Sequence, residues 1–495
     1  VRKRSFAIAL LLHLLPCAAA AGGVSLDPAK IEDMVLERSF GVKKAEIDRQ
    51  VAAEGVPTAK GVFDTFLEGS ASYQLNEEKQ LNPIFGNRTD TFYWDVGLTK
   101  ELAPTGTTLG VSLASDWTKT SGALAVGGNP ILPPFGNWEP VLGFSLSQPL
   151  LYNAFGLVDR GGVDEARHLY ASADQSVRMQ VDTIVYEALQ DYWDLFFVRR
   201  QLRAIERAIG FAREFLNTTL EERKLGTVED TDVLAARANL LERQNEYHAY
   251  REYEKIAEED LRNDLELLPH DDLVLAKGYP AKVKVVESVD AMISKALGNR
   301  GDYLAALEEI KRRRVMAKVA RNKRLPQLNL VSTVDLNEID RDYGRALGGM
   351  DSPNLTTGLT LSVPLENRAA RAGARQAEAE RARAVYEARD LETKIANQIA
   401  RLSAAIGERL RIVEKTQTAL NMHLEKQRLE LAKYRIGRSN SDIVKRYQDD
   451  TVNTERRLFE AWLAYKKALL DLRLALGTMV SETGEVEERT EVIRR

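Results

Sequence analysis

One cysteine, Cys17, stands in 495 residues, and it falls within the first 22. Without that stretch the chain holds no thiol, which excludes disulfides and cysteine metal sites from the remainder. No later segment approaches 18 uninterrupted apolar residues, so a helical membrane protein is not expected. A membrane β-barrel is not, because its strands alternate and escape hydropathy windows. His13, His168, His248, His270 and His423 are scattered, with no metal-binding pair at helical spacing beside a carboxylate. No phosphate-cradling glycine loop and no nucleophile elbow occurs, which leaves an enzyme without its parts. Neither cofactor nor metal is expected. A formal charge of −4, from 69 basic and 73 acidic residues, argues against nucleic acid as a partner.

The amino terminus has three parts: Arg2, Lys3 and Arg4, an apolar run over residues 6–15, and Ala18 to Ala21. That is the form of a secretory signal, with cleavage near Ala20 or Ala21. A short membrane anchor is the alternative, but the run is shorter than the ~20 residues a spanning helix needs. Leu14-Leu15-Pro16-Cys17 has a faint likeness to a lipoprotein box, and lipidation of Cys17 stays open. Loss of Arg2, Lys3 and Arg4 with the signal takes the charge from −4 to −7.

What the chain does have is a plan used twice. Strand-like residues end in Gln148-Pro149-Leu150-Leu151, a helical pattern of about 70 residues follows, and Leu225-Gly226 leads into Asp232-Val233-Leu234. The second copy opens at Val363-Pro364-Leu365 and runs to Ile436-Gly437 and Asp442-Ile443-Val444. Pro149 to Pro364 is 215 positions and Gly226 to Gly437 is 211, so the internal spacing is nearly kept. A tandem repeat of strands and long helical hairpins predicts an elongated architecture. The expected divisions are residues 1–22 as signal peptide, 23–268 as first repeat, 269–286 as an equatorial segment, 287–478 as second repeat, and 479–495 as a charged tail.

Six segments alternate. Leu67, Gly69, Ala71, Tyr73 and Leu75 share a face, as do Trp94, Val96 and Leu98, and Leu109, Val111, Leu113 and Trp117. Leu142, Phe144, Leu146 and Leu150 form the fourth set, Leu328, Leu330, Val334 and Leu336 the fifth, and Leu359, Leu361, Val363 and Leu365 the sixth. Each segment is about ten residues, enough to cross a bilayer as a tilted strand. The small polar face opposite would also suit a soluble sandwich. Export, and long loops at 78–90 and 121–140 alternating with a tight turn at Pro104-Thr105-Gly106, favour the barrel.

The first long helix, 157–224, would extend about 100 Å at ~1.5 Å per residue. Its stripe from Val177 to Leu220 steps by three or four. The second, 368–434, is richer in alanine and arginine; its alanines allow close helix approach, and its charges are expected on solvated faces. Shorter helices are expected over 28–51, 226–268, 288–324 and 442–476. Segment 268–286 is read either as a belt or as a linker.

These residues make the chain resemble the TolC-like outer membrane efflux protein family. The resemblance rests on the two strand exits, 144–150 and 361–365, and the two tips, 223–226 with 231–234 and 434–437 with 442–444, and it covers about residues 28 to 478. It implies an α+β membrane protein: a homotrimer whose strands form one shared β-barrel in outer membrane lipid, continuing into a long periplasmic α-helical barrel built from two structural repeats. It implies a passive duct of a tripartite efflux or type I secretion system, acting with a periplasmic adaptor (membrane fusion) protein and an inner-membrane transporter, with no chemistry of its own. A coiled-coil scaffold without channel activity is the alternative, and six strands set between helix pairs speak against it. In the family the closed periplasmic end is held by bonds between hairpin tips above an acidic ring. By position, Tyr434 and Arg438 reach toward Asp232, Asp442 supplies the ring, and Leu225, Gly226, Ile436 and Gly437 meet the adaptor. The second ring carboxylate expected one turn later is Lys445 here, a departure that bears on cation selectivity. Asp232 and Asp442 also read as helix N-caps. Six strands depart from the family's usual four per protomer, leaving 12 or 18 in a trimer. The cargo, whether drug, metal ion or protein, is not legible.

Overall fold

A computed structural model describes residues 24–77, 88–121, 125–126, 129–130, 135–268, 273–275, 282–283, 287–436 and 438–480. The expected signal peptide with Cys17, much of the equatorial segment, Gly437 and residues 481–495 lie outside the described residues.

The chain opens with a short strand β1 (Val24–Leu26) and two helices, α1 (Pro28–Arg38) and α2 (Phe40–Lys60). Asp27 caps α1 by accepting from Lys30 N at 2.9 Å, and Pro28 takes the first turn, where no N–H is needed. Strands β2 (Thr65–Glu77), β3 (Arg88–Leu102) and β4 (Thr107–Ser121) follow, then a two-residue ladder of β5 (Ala125–Val126) with β6 (Asn129–Pro130), then β7 (Phe135–Pro149). The hairpin of α3 (Leu157–Lys224) and α4 (Asp230–Asp264) closes the first copy. After β8 (Leu273–Leu275) come α5 (Val289–Asn299), α6 (Gly301–Asn322), β9 (Gln327–Asn337), the short α7 (Tyr343–Gly348), β10 (Ser352–Ser362), α8 (Arg368–Arg435) and α9 (Ser441–Ala475).

The duplication is metrical. α1 and α5 have 11 residues each, α2 and α6 have 21 and 22, α3 and α8 both have 68, and α4 and α9 both have 35. The helices expected over 28–51 and 288–324 are each broken once, at Ser39 and at Arg300, where the backbone turns extended for a single residue. The slip from 215 to 211 has one location. Pro149 precedes α3 by eight positions and Pro364 precedes α8 by four, the excess of four lying in the link that holds the turn Ala154–Gly156.

The contacts divide the chain into two compact units. One comprises Lys44–Met179 and Ile293–Asn397 and holds the six-stranded antiparallel sheet, in the order β10-β9-β7-β4-β3-β2. Its register carries one face through every strand: Leu67, Leu98, Val111, Phe144, Val334 and Leu355 form a cross-strand row, and Gly69, Val96, Leu113, Leu142, Leu336 and Pro353 the next. The opposite face runs Glu68, Gly97, Ser112, Gly143, Asp335 and Asn354. A one-residue slip at any strand would put polar residues in the apolar row, so pattern fixes register. In the same unit α6 is tied to α3 by Arg312 to Glu165 at 2.9 Å and Glu308 to His168 at 2.9 Å, and to α8 by Arg313 to Glu380 at 2.5 Å.

The other unit comprises Gln180–Met292 with the described residues up to Lys43 and from Gln398 onward. Its core is aromatic: Tyr192, Trp193, Phe196 and Phe197 of α3 are buried, as are Leu458, Phe459, Trp462 and Tyr465 of α9. The Trp193 and Phe196 rings meet edge-on at 5.4 Å, a geometry the ring quadrupoles favour. Polar bonds fix the two helices to each other: Tyr186 donates to Asp471 at 2.5 Å, and Lys467 meets Asp194 at 2.7 Å. Between α3 and α4, Asp191 and Asp264 share a hydrogen bond, and burial first, then Asp191, pushes the Asp264 carboxyl up to about 7. Part of the equatorial segment is docked here. β8 pairs in parallel with β1, and Val283 N donates to the Tyr465 hydroxyl at 2.9 Å. Met479 is buried, and Val480 N donates to Asp182 at 3.1 Å.

Candidate functional site: the two hairpin tips

Helix α3 leaves its last carbonyls without intrahelical partners, and the chain answers with a left-handed residue. Gly226 stands at φ +73°, where a side chain would be strained. Thr227 N then reaches back to Glu222 O at 3.0 Å and Gly226 N to Arg223 O at 2.9 Å. The second tip repeats the closure, with Arg438 N on Lys433 O at 2.9 Å. Gly437, its expected pivot, lies outside the described residues.

Helix starts differ between the copies. At the first, Glu229 is the N-cap and Asp232 completes a capping box, accepting from Glu229 N at 3.1 Å. At the second, Asn440 caps by accepting from Ile443 N at 3.0 Å, and Asp442 sits exposed in the first turn. Neither Asp232 nor Asp442 is the N-cap itself. Each lies inside the first turn, where the helix dipole still favours a carboxylate.

The tips are joined by two polar bonds around a small apolar cluster. The Tyr434 hydroxyl donates to Glu222, and Ser441 Oγ donates to Asp232 at 3.0 Å. Phe215, Ala236, Tyr434 and Val444 are buried together, with Leu216 and Leu431 against them. The Phe215 and Tyr434 ring centroids are 5.9 Å apart. Burial and the Glu222 carboxylate push the Tyr434 phenol upward, so it stays a donor through the physiological range. Below Tyr434, Glu430 accepts from Ser439 at 2.7 Å and meets Lys433 at 3.1 Å, and these hold its carboxyl below the usual range.

Glu222 and Ser441 join the residues expected at the tips. Tyr434 donates to Glu222, with the Asp232 carboxylate near enough to raise the phenol further, and Asp232 itself accepts from Ser441. By the 211-residue offset Tyr434 corresponds to position 223 on α3, which puts its hydroxyl level with Glu222. Arg438 is exposed, and its backbone N–H closes the second tip. Leu225 and Ile436 point outward, 79% and 65% exposed. Among the described residues no group of three His, Cys, Asp or Glu side chains is set to hold a metal.

Comparison with known proteins adds a family match over part of the chain and a fold match over nearly all of it. The outer membrane efflux protein family profile matches residues 292–478. The matched stretch takes in α6, β9, β10, α8 and α9. The whole chain has the fold of solved channels of this kind. CusC is similar at TM-score 0.68 with 14% identity, over 92% of this chain and 93% of that one. The CmeC outer membrane channel of Campylobacter jejuni is similar at 0.65 with 16% identity, over 93% and 88%. The outer membrane protein VceC of Vibrio cholerae is similar at 0.67 with 14% identity, over 91% and 96%. No curated protein matches the chain. The resemblance to the TolC-like outer membrane efflux protein family is thus borne out by profile and fold.

Proposed function

We propose that three copies of this chain form the outer membrane channel of a tripartite efflux or type I secretion system. The sheet stands in the outer membrane, the hairpins reach through the periplasm, and cargo passes through the duct without chemical change. The observation that carries this reading is the sheet's two-sided register. One face is apolar through all six strands and is exposed or half-buried along its length, the other is small and polar, and among the described residues both edges lack partners. In hydrocarbon such backbone edges must be satisfied, and only a closed barrel does so. No helix among the described residues is long and apolar enough to cross a membrane, so membrane residence rests on the strands. A coiled-coil scaffold gives those strands no role.

The tips form the periplasmic gate. Tyr434 with Glu222 and Ser441 with Asp232 are its latches, Asp442 its ring carboxylate, and Arg438 a neighbouring cation. The exposed turns at Leu225, Gly226, Ile436 and Gly437 receive the periplasmic adaptor, which links the channel to an inner-membrane transporter. Planar-bilayer recording tests both levels of the reading. Wild-type protein should conduct poorly, and Tyr434→Phe combined with Asp232→Ala should raise single-channel conductance severalfold. Unchanged conductance would remove the latch assignment, and a variant and parent that never conduct would remove the channel.

A further inference from the structure

We propose that all six strands stand in the wall, so that three copies close an 18-stranded barrel in which β2 of each copy pairs with β10 of the next. The proposal rests on the trimeric reading above and departs from the four strands per protomer that the resemblance implies. Four observations carry it.

The apolar rows pass from β4 through β3 to β2 without interruption, so the outer pair presents the same face to lipid as its neighbours. Both edges carry few guarding residues. β2 has no lysine, arginine or proline in 13 residues, and its two charges are Glu68 on the small polar face and Glu77 at its last position; β10 has no charge and a single proline, Pro353, at its second position. Strand edges left free are ordinarily blunted by such residues or by bulges, and these two are built to be paired. Five antiparallel steps leave β2 and β10 running in opposite directions, so the seam between copies is antiparallel like every other step in the wall. Leu67 and Tyr73 on one edge, 70% and 62% exposed, share the apolar face with Leu355 and Leu359 on the other, at 67% and 64%. The lipid-facing band therefore continues across the seam.

A wall of four strands per copy would instead strand β2 and β3 outside the barrel, with Phe92, Val96 and Leu98 withdrawn from the lipid face. For strands ~4.8 Å apart and tilted about 40°, 18 strands give a barrel about 35 Å across, against about 24 Å for 12. The enclosed cross-section grows about twofold.

Cysteine pairs test the seam in the full-length protein carrying Cys17→Ala. Gly69, Ala71 or Tyr73 of β2 is replaced by cysteine together with Leu355, Thr357 or Leu359 of β10, giving nine double variants of matched facing. Native mass spectrometry counts the copies, and non-reducing gels after mild oxidation read the seam. Three copies, with one or two of the nine combinations linked covalently into trimers, is the expected result. Three copies linked instead through cysteines at Val111, Leu113 or Ser115 of β4 and the same β10 positions would overturn the proposal in favour of 12 strands. So would a trimer linked by neither set. A copy number other than three sinks the trimeric reading itself, and with it the count of 18.

Discussion

Helices α3 and α8 have the same length and the same closure at their tips, yet nearly opposite chemistry at equivalent positions. Where α3 carries Tyr192, Trp193, Phe196 and Phe197, all buried, the 211-residue offset places Ser403, Ala404, Gly407 and Glu408 on α8, with the last three exposed. The second arms are exchanged in the other direction. Leu458, Phe459, Trp462 and Tyr465 of α9 are buried, while their counterparts on α4 are Tyr247, His248, Arg251 and Glu254. The dry core is therefore shared between the first arm of one copy and the second arm of the other. Leu234, Leu241, Tyr253 and Ile256 on α4, and Tyr386, Ile412, Met422 and Leu429 on α8, are left exposed. Duplication kept lengths and turns, because those set where the tips fall, and released the faces to specialise. In the trimer of the proposed function, the exposed apolar faces of α4 and α8 are the ones left for neighbouring copies.

The largest test of this asymmetry pairs Phe196→Ala with Gly407→Ala. Loss of the buried ring should cost about 3–5 kcal/mol, whereas alanine at the exposed helical glycine should add about 0.5–1 kcal/mol. Thermal midpoints followed by helical circular dichroism in detergent compare the two directly. Equal responses would dissolve the distinction between a packed and an open copy.

A second test uses Asp191 and Asp264, whose counterparts in the later copy are Leu402 and Ala475. Burial and Asp191 raise the Asp264 carboxyl to about 7, so the folded state keeps a proton that the unfolded chain releases near pH 4. Stability should therefore fall as pH rises through the window from about 4 to about 7. Asp264→Ala, which installs the second copy's residue, should flatten that slope and gain about 1–2 kcal/mol at pH 8, after discounting for partial solvent screening. Parallel pH profiles of parent and variant would break the assignment.

The smallest effect concerns how the second arms end. Both finish with the same left-handed turn, Glu266 at φ +51° in one copy and Gly477 at φ +64° in the other. Thr478 N returns to Arg473 O at 3.1 Å and Leu267 N to Arg262 O at 2.9 Å. Gly477→Ala should cost about 1 kcal/mol. Glu266→Gly should come out near neutral, since relief of strain offsets the loss of its carboxylate from Phe40 N at 3.2 Å. A marked loss in Glu266→Gly would show that the capping bond outweighs the strain.

Much of this architecture was legible before any coordinates. The alternating residues found all six strands because period two survives wherever one face meets a different medium from the other. The limits of α3 followed from the strand exit and from the tight reversal at Gly226. The breaks at Ser39 and Arg300 were not legible, since neither position carries the glycine or proline that announces an interruption, and each is a single extended residue held by packing. Nor were Glu222 and Ser441. Both were overlooked because acidic and hydroxyl residues crowd the tips, and only the height of Tyr434 on a helix parallel to α3 selects among them.

The four residues that separate 215 from 211 act as a shim. They sit in the link that holds the turn Ala154–Gly156, ahead of α3, and leave its 68 residues matched to those of α8. Had the same insertion fallen inside the helix, every residue beyond it would have advanced about 6 Å and rotated by about 40°. Tyr434 would then have come level with Thr218 in place of Glu222, and a phenol seeking a carboxylate would have found a hydroxyl already committed to Glu214 O.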